Sequence, residues 1–139
     1  MTIWIVSMEY AGISEAGGVK NVTCSLCEEL SRSAHDVTLF LPAFGSNTYD
    51  GVSQILENCI APVAIPVYGK QEIVTYSMGK ITSCGATVVF VHHPVFEEKL
   101  AVYTYTDKEE AQNPIHKRGN GHEDTLLIDT IFQRAVAEF

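Results

Sequence analysis

The chain opens on an unbroken apolar run, Ile3-Trp4-Ile5-Val6 followed by Ser7, which predicts a strand over 3–7 buried on both faces. Val19, Val22, Leu26 and Leu30 then recur at helical spacing and predict a helix over 18–33 packed on the sheet. Val37-Thr38-Leu39-Phe40-Leu41 supplies a second buried strand after the short His35-Asp36 connection, and Pro42 and Gly45 end it. Residues 46–60 read as a loop with a short helix around Val52 to Asn58. Val63 to Ser77 reads as an antiparallel hairpin broken at Gly69-Lys70. The β-branched run Ala86 to Val91 is the third core strand. Residues 104–123 are polar, with Pro114, Gly119 and Gly121, and read as a long surface loop of the kind that is functional or mobile. From Asp124 onward Leu127, Ile131, Phe132, Ala135, Val136 and Phe139 share one helical face, with Asp124 placed favourably for the helix dipole.

A strand, a helix and a second buried strand make a β-α-β unit, whose crossover is right-handed and whose strands are parallel. The expected architecture is a doubly wound, mainly parallel, Rossmann-like α/β sheet in the order 3-2-1, with helices 18–33 and 124–139 packed on it. In such folds the helix after strand three delivers a fourth strand beside strand one. The pattern stops in mid-helix at Phe139, so the chain is expected to be a truncated part of a domain. Strand one is then an unpaired apolar edge, and a homodimer formed by edge pairing or by exchange of the last helix is expected from it.

Composition narrows the function classes. The 139 residues make one domain's worth of chain, and 46% hydrophobic with 19% charged residues is an ordinary globular balance. Nine basic against 17 acidic residues give a net charge of −8, with no Lys/Arg cluster, which argues against nucleic acid and anionic membrane as partners. No apolar run approaches the ~18 residues of a membrane span and no secretory leader opens the chain, so a cytoplasmic setting is expected. Cys24, Cys27, Cys59 and Cys84 are too scattered for a disulfide framework and are expected as reduced thiols.

The chemistry concentrates where a strand meets a helix. Ala16-Gly17-Gly18-Val19 lies between them, where glycines let backbone approach an anion and the helix start favours negative charge. Gly18-Val19 stands where a P-loop requires Lys and Ser/Thr, and no G-x-G-x-x-G is present, so neither a P-loop nor a dinucleotide fingerprint is read. Spacing alone leaves open a tight turn with no ligand. Cys24 and Cys27 have redox-motif spacing but lie inside the helix and read as core packing. The cysteines and scattered histidines do not make a structural metal site. His92-His93-Pro94 through Glu98-Lys99 lies at the carboxyl end of a parallel strand, the edge where α/β proteins place ligands.

The stretch from Trp4 to Val22 resembles the N-terminus of bacterial glycogen and plant starch synthases, which reads like VSSECAPFAKTGGLADV. The likeness continues from Ala34-His35-Asp36-Val37 to Leu41-Pro42-Ala43-Phe44-Gly45, against GHDVRVVLPRYG. The resemblance implies the N-terminal half of a GT-B fold, with residues 1–139 a partial N-terminal domain and the C-terminal donor domain absent. It implies a retaining glucosyltransferase that elongates α-1,4-glucan from a nucleotide-glucose donor without metal or other cofactor, the piece alone being inactive. Gly17 and Gly18 become the donor-phosphate loop, joined by Glu15, which stands where the family has Lys. Glu9, Asn21 (the family's Asp), His92, His93, Glu98 and Lys99 become cleft-lining candidates, and Ile128 stands in place of the family's Arg. The rival from another class is a non-catalytic Rossmann-like module that binds glucan or a partner through a degenerate donor site.

Overall fold

The computed structural model describes residues 1–139. Strand β1 (Thr2–Val6) leads into helix α1 (Val19–Arg32) and strand β2 (Asp36–Pro42). Strands β3 (Val52–Leu56), β4 (Val63–Val67), β5 (Lys70–Ile81) and β6 (Thr87–His92) follow. Three helices close the chain: α2 (Pro94–Glu97), α3 (Asp107–Gln112) and α4 (Thr125–Glu138). The sheet order is β1-β2-β6-β5-β3, with β4 paired to β5. β1, β2 and β6 are parallel, in the expected order 3-2-1, with Ile3 opposite Val37 and Leu39 opposite Val88. Beyond β6 the sheet turns antiparallel through β5 and β3.

β2 and β6 alternate between two apolar layers, as a sheet covered on both faces requires, whereas the edge strand β1, expected to be buried on both faces, has no fully buried residue. Leu39, Leu41, Val88 and Phe90 face a layer with Tyr10, Ile13 and Cys27 of α1. Phe40, Val89 and Val91 face the opposite layer with Ile128, Ile131, Phe132 and Ala135 of α4. The Tyr76 hydroxyl on β5 donates to the Ala135 carbonyl at 2.7 Å, and the Phe139 ring packs against Trp4, Phe40 and Tyr76.

Three local expectations are corrected. The short helix expected around Val52 to Asn58 is instead strand β3, because β-branched Val52 fits over a bare backbone: a Cβ on Gly79 of β5 would lie 2.5 Å from Val52 Cγ1. The hairpin turns at Tyr68-Gly69, with φ of 48° and 77° matching a two-residue turn, but its second strand runs on to Ile81 and joins the main sheet. The long loop of 104–123 contains α3, started by a capping box in which Thr106 and Glu109 satisfy each other's backbone amides.

Helix α1 forms where expected but packs by a different stripe. Val19, Val22 and Leu26 are exposed, while Thr23 and Cys27 are buried. Small side chains bring the helix close to the sheet, and the Thr23 hydroxyl joins Ser7 Oγ at 3.1 Å and the Val19 carbonyl at 3.0 Å. The larger apolar residues of α1 are left exposed, and on the unpaired edge strand β1 Trp4 and Val6 are also about half exposed.

Ala34 closes α1 with φ of 60°, while the His35 amide bonds back to the Leu30 carbonyl at 3.1 Å. A left-handed non-glycine residue costs roughly 1 kcal/mol. Ala34→Gly is therefore expected to raise stability by up to about 1 kcal/mol in urea denaturation. Gly45→Ala is expected to lower it by roughly 1–3 kcal/mol, because the added Cβ would lie 2.4 Å from the Glu97 carbonyl oxygen.

Candidate functional site

The parallel strands all deliver their carboxyl ends to one edge, and the loop from Ser7 to Gly18 lies there after β1. Ser7 Oγ donates to the Glu9 carbonyl at 3.0 Å, and Ser14 Oγ to that of Met8 at 2.8 Å. Gly12 takes a φ of 81°, and its carbonyl accepts the Thr48 hydroxyl at 2.7 Å, tying this loop to the one after β2.

Glu9 organises the glycine turn from beneath. Its side chain is 1% exposed, and Oε1 accepts the amides of Ala16 at 2.8 Å and Gly17 at 2.5 Å. Oε2 accepts the Tyr103 hydroxyl at 3.0 Å from across the molecule. Burial, followed by this bond to a carboxylate, pushes the Tyr103 phenol up to about 12. Gly18 caps α1 with no side-chain acceptor; the Asn21 amide turns back to the Gly18 carbonyl at 3.2 Å, while the amides of Val19 and Lys20 open the helix without an intrahelical partner.

Glu15 and Asn21 flank this turn. Glu15 Oε1 accepts the Gly12 amide at 3.1 Å and lies 3.5 Å from Lys20 Nζ; the Gly12 bond first, then Lys20, hold its carboxyl below the usual range. The carboxylate that stands in place of the resembling motif's lysine is thus folded back and partnered by a lysine in the first turn of α1. Asn21 is exposed in the first turn of that helix.

The remaining candidates lie elsewhere. His92 joins Ser77 Oγ at 2.8 Å and Glu97 Oε1 at 3.0 Å. His93 caps α2 by accepting the Val95 amide at 3.1 Å and meets Glu72 Oε2 at 2.9 Å. Both histidines therefore fasten the end of β6 to β5 and α2. The Lys99 side chain, 5% exposed, bridges Glu98 at 2.5 Å and Asp124 at 2.8 Å. Burial alone would lower its pKa, but the bonds to Asp124 and Glu98 outweigh that and hold it above the ordinary lysine value. Asp124 precedes α4 as expected, but makes no side-chain cap and gives its carboxylate to Lys99. Cys27 is fully buried and its thiol is pushed up to about 12, chiefly by burial; burial raises Cys24 as well. Neither thiol is activated.

Tyr103 and His122 are not singled out by the sequence pattern. They line a pocket of about 270 Å³ with Met8, Thr125, Ile128 and Asp129, directly beside Glu9 and the glycine turn. His122 is 5% exposed and its buried Nε2 has no partner. The one legible signal was the length of the 104–123 segment, which marks a loop with a use.

A parallel β-α-β unit with a glycine turn at its carboxyl edge and helices on both faces is a Rossmann-like half of the GT-B kind. The family described as starch synthase catalytic domain matches residues 2–139, and the chain belongs to that family. Among solved structures it is similar to the catalytic domain of starch synthase IV from Arabidopsis thaliana, bound to ADP and acarbose, with a TM-score of 0.63 and 24% identity. That likeness covers 76% of this chain and 21% of the other, so the chain spans about a fifth of the starch synthase it matches. No curated protein matches it in sequence. No helix is long and apolar enough to cross a membrane.

His122 carries a pH dependence of known sign. Burial first, against a bond to the Thr104 backbone, then Lys99, hold its pKa below the usual value. A lowered folded pKa contributes stability that is present above the unfolded value of about 6.5 and is lost as pH falls below it. Urea midpoints are expected to fall between pH 7.5 and 5, and His122→Gln to flatten that slope. A wild-type slope unchanged by the substitution would assign the loss to other groups.

Proposed function

We propose that this chain is the glycine-loop part of a retaining glucosyltransferase that extends α-1,4-glucan from a nucleotide-glucose donor, and that alone it does not turn over. One observation carries the reading: the fold does not need the glycine pair. Gly18 has a φ of −79° and no atom within 4 Å of an added Cβ, while a Cβ on Gly17 would make only ordinary contacts of 3.8 and 3.9 Å with Glu9. Gly45 and Gly79, by contrast, are held by backbone and side chains of this chain. Bare backbone at 17–18 next to outward amides is what a diphosphate requires, and family membership gives that diphosphate its class. The adjoining pocket at Tyr103 suits the glucan side. Chemistry assembled across two domains loses its positioning when one is absent, which supports an inactive piece. Four free cysteines favour a reducing, cytoplasmic setting.

Titration with ADP followed by amide resonances tests this. Weak binding is expected, with shifts confined to the residues around Gly17, Gly18 and Val19. Gly18→Ala is expected to weaken it while leaving stability within about 0.5 kcal/mol. Glu15→Lys is expected to tighten it by about 0.3–1 kcal/mol, the value of a favourable charge at a helix start. If no amide of the turn moves in either wild type or Glu15→Lys, the donor-site reading fails. Glu15 itself favours the second reading, a non-catalytic glucan-binding module, which predicts shifts with maltooligosaccharide and none with ADP.

We also infer that the free edge of β1 pairs with a second copy. Its side chains Trp4 and Val6 are about half exposed in the single chain. Ultracentrifugation at micromolar concentration is expected to show a dimer that Ile5→Lys disperses; a monomeric wild type would refute the pairing.

A further inference from the structure

We propose that Glu9 is a positioning residue that couples the two halves of the site: one carboxylate sets the glycine turn with one oxygen and the Tyr103 loop with the other. The inference rests on the donor-site reading above for what the turn holds, but the coupling itself is geometric. Glu9 is 1% exposed and is the most buried carboxylate of the chain; the next, Glu109, is 7% exposed. A carboxylate removed from water must be met by donors. Here they are the amides of Ala16 and Gly17, just beyond it in the chain, and the Tyr103 hydroxyl, 94 residues from Glu9. Either segment can shift only by leaving the Glu9 charge short of a donor.

The same contacts decide which amides remain for a ligand. Those of Ala16 and Gly17 are already taken by Oε1, so an incoming phosphate is left with the amides from Gly18 onward, at the start of α1. Glu9 thereby sets the position of the anion along the turn, and places its own charge where it opposes an anion that slides back toward Ala16. Through Tyr103, which lines the neighbouring pocket, the position of the turn is tied to the shape of that pocket.

Amide hydrogen exchange on the full chain, with inorganic pyrophosphate as probe, tests this. Glu9→Ala is expected to speed exchange at Ala16 and Gly17 by about tenfold or more, the loss of a hydrogen bond to a charged acceptor. Glu9→Gln keeps an oxygen acceptor for both amides and is expected to restore their protection while letting pyrophosphate bind as tightly as, or more tightly than, wild type. Tyr103→Phe is expected to leave the glycine turn protected, yet to abolish the shifts that pyrophosphate sends to Thr104 and Gly121 in the wild type. Unchanged protection in Glu9→Ala, or propagation that survives in Tyr103→Phe, would overturn the proposal. Should Glu9→Ala fail to fold, the Glu9→Gln and Tyr103→Phe results still decide it. A wild type that shows the exchange pattern but does not bind pyrophosphate would remove the donor-site reading and leave the clamp on the turn standing.

Discussion

Parallel pairing is the constraint from which the site follows. β1, β2 and β6 run the same way, so these three strands release the chain at one edge; the return from β1 to β2 crosses a face of the sheet, and the return to β6 is made by antiparallel β5. The crossover from β1 to β2 places α1 on one layer, and α4, which follows β6, covers the other, which buries β2 and β6 on both faces and lets them be built almost wholly of apolar residues. It also gathers the loops after β1, β2 and β6 at a single edge. A turn of small residues between a strand and a helix then presents amides outward without further machinery. Polar side chains beneath it, from Ser7 to Ser14, serve to hold that turn still.

What the sequence made legible follows the range of the interactions involved. The three parallel strands and the last helix are read because their apolar patterns are long and repeat with a clear period. The helical stripe of α1 misleads because the chain carries two. Val19, Val22 and Leu26 are the more hydrophobic, but Thr23 and Cys27 are the smaller, and close approach to the sheet selects the smaller set. β3 is strand rather than helix because Gly79 leaves room for Val52, a contact 27 residues distant in sequence. Hydrophobic period cannot see that. The capping box at Thr106 and Glu109 has a local signature, but the polar segment around it carries no helical apolar period and reads as a loop.

The candidate site divides in the same way. The glycine turn is evident from local pattern, and Glu9 from its place in the resembling motif. Its partner Tyr103 is set by the fold alone, 94 residues away. His92 and His93 stand at the correct strand end, yet their rings turn toward Ser77 and Glu72 on β5. An antiparallel neighbour with polar side chains claims them, and the strand-end position by itself could not reveal the side of the sheet to which they point.

Charge at the mouth of the turn changes how much its backbone must do. Where the resembling motif has a lysine, this chain has Glu15, and it compensates locally: the carboxylate is held by the Gly12 amide and by Lys20. The pair is close to neutral, and both members are partly exposed, so solvent screens what field remains. Below them Glu9 is buried and charged, but its charge is engaged by the turn's own amides and by a phenol. For the anion proposed at Gly18, side chains therefore offer little net attraction, and the helix start and unhindered backbone would be its principal source of affinity. That makes the two glycines more consequential here than beside a lysine, because any side chain at position 18 would stand in the space through which those amides are reached.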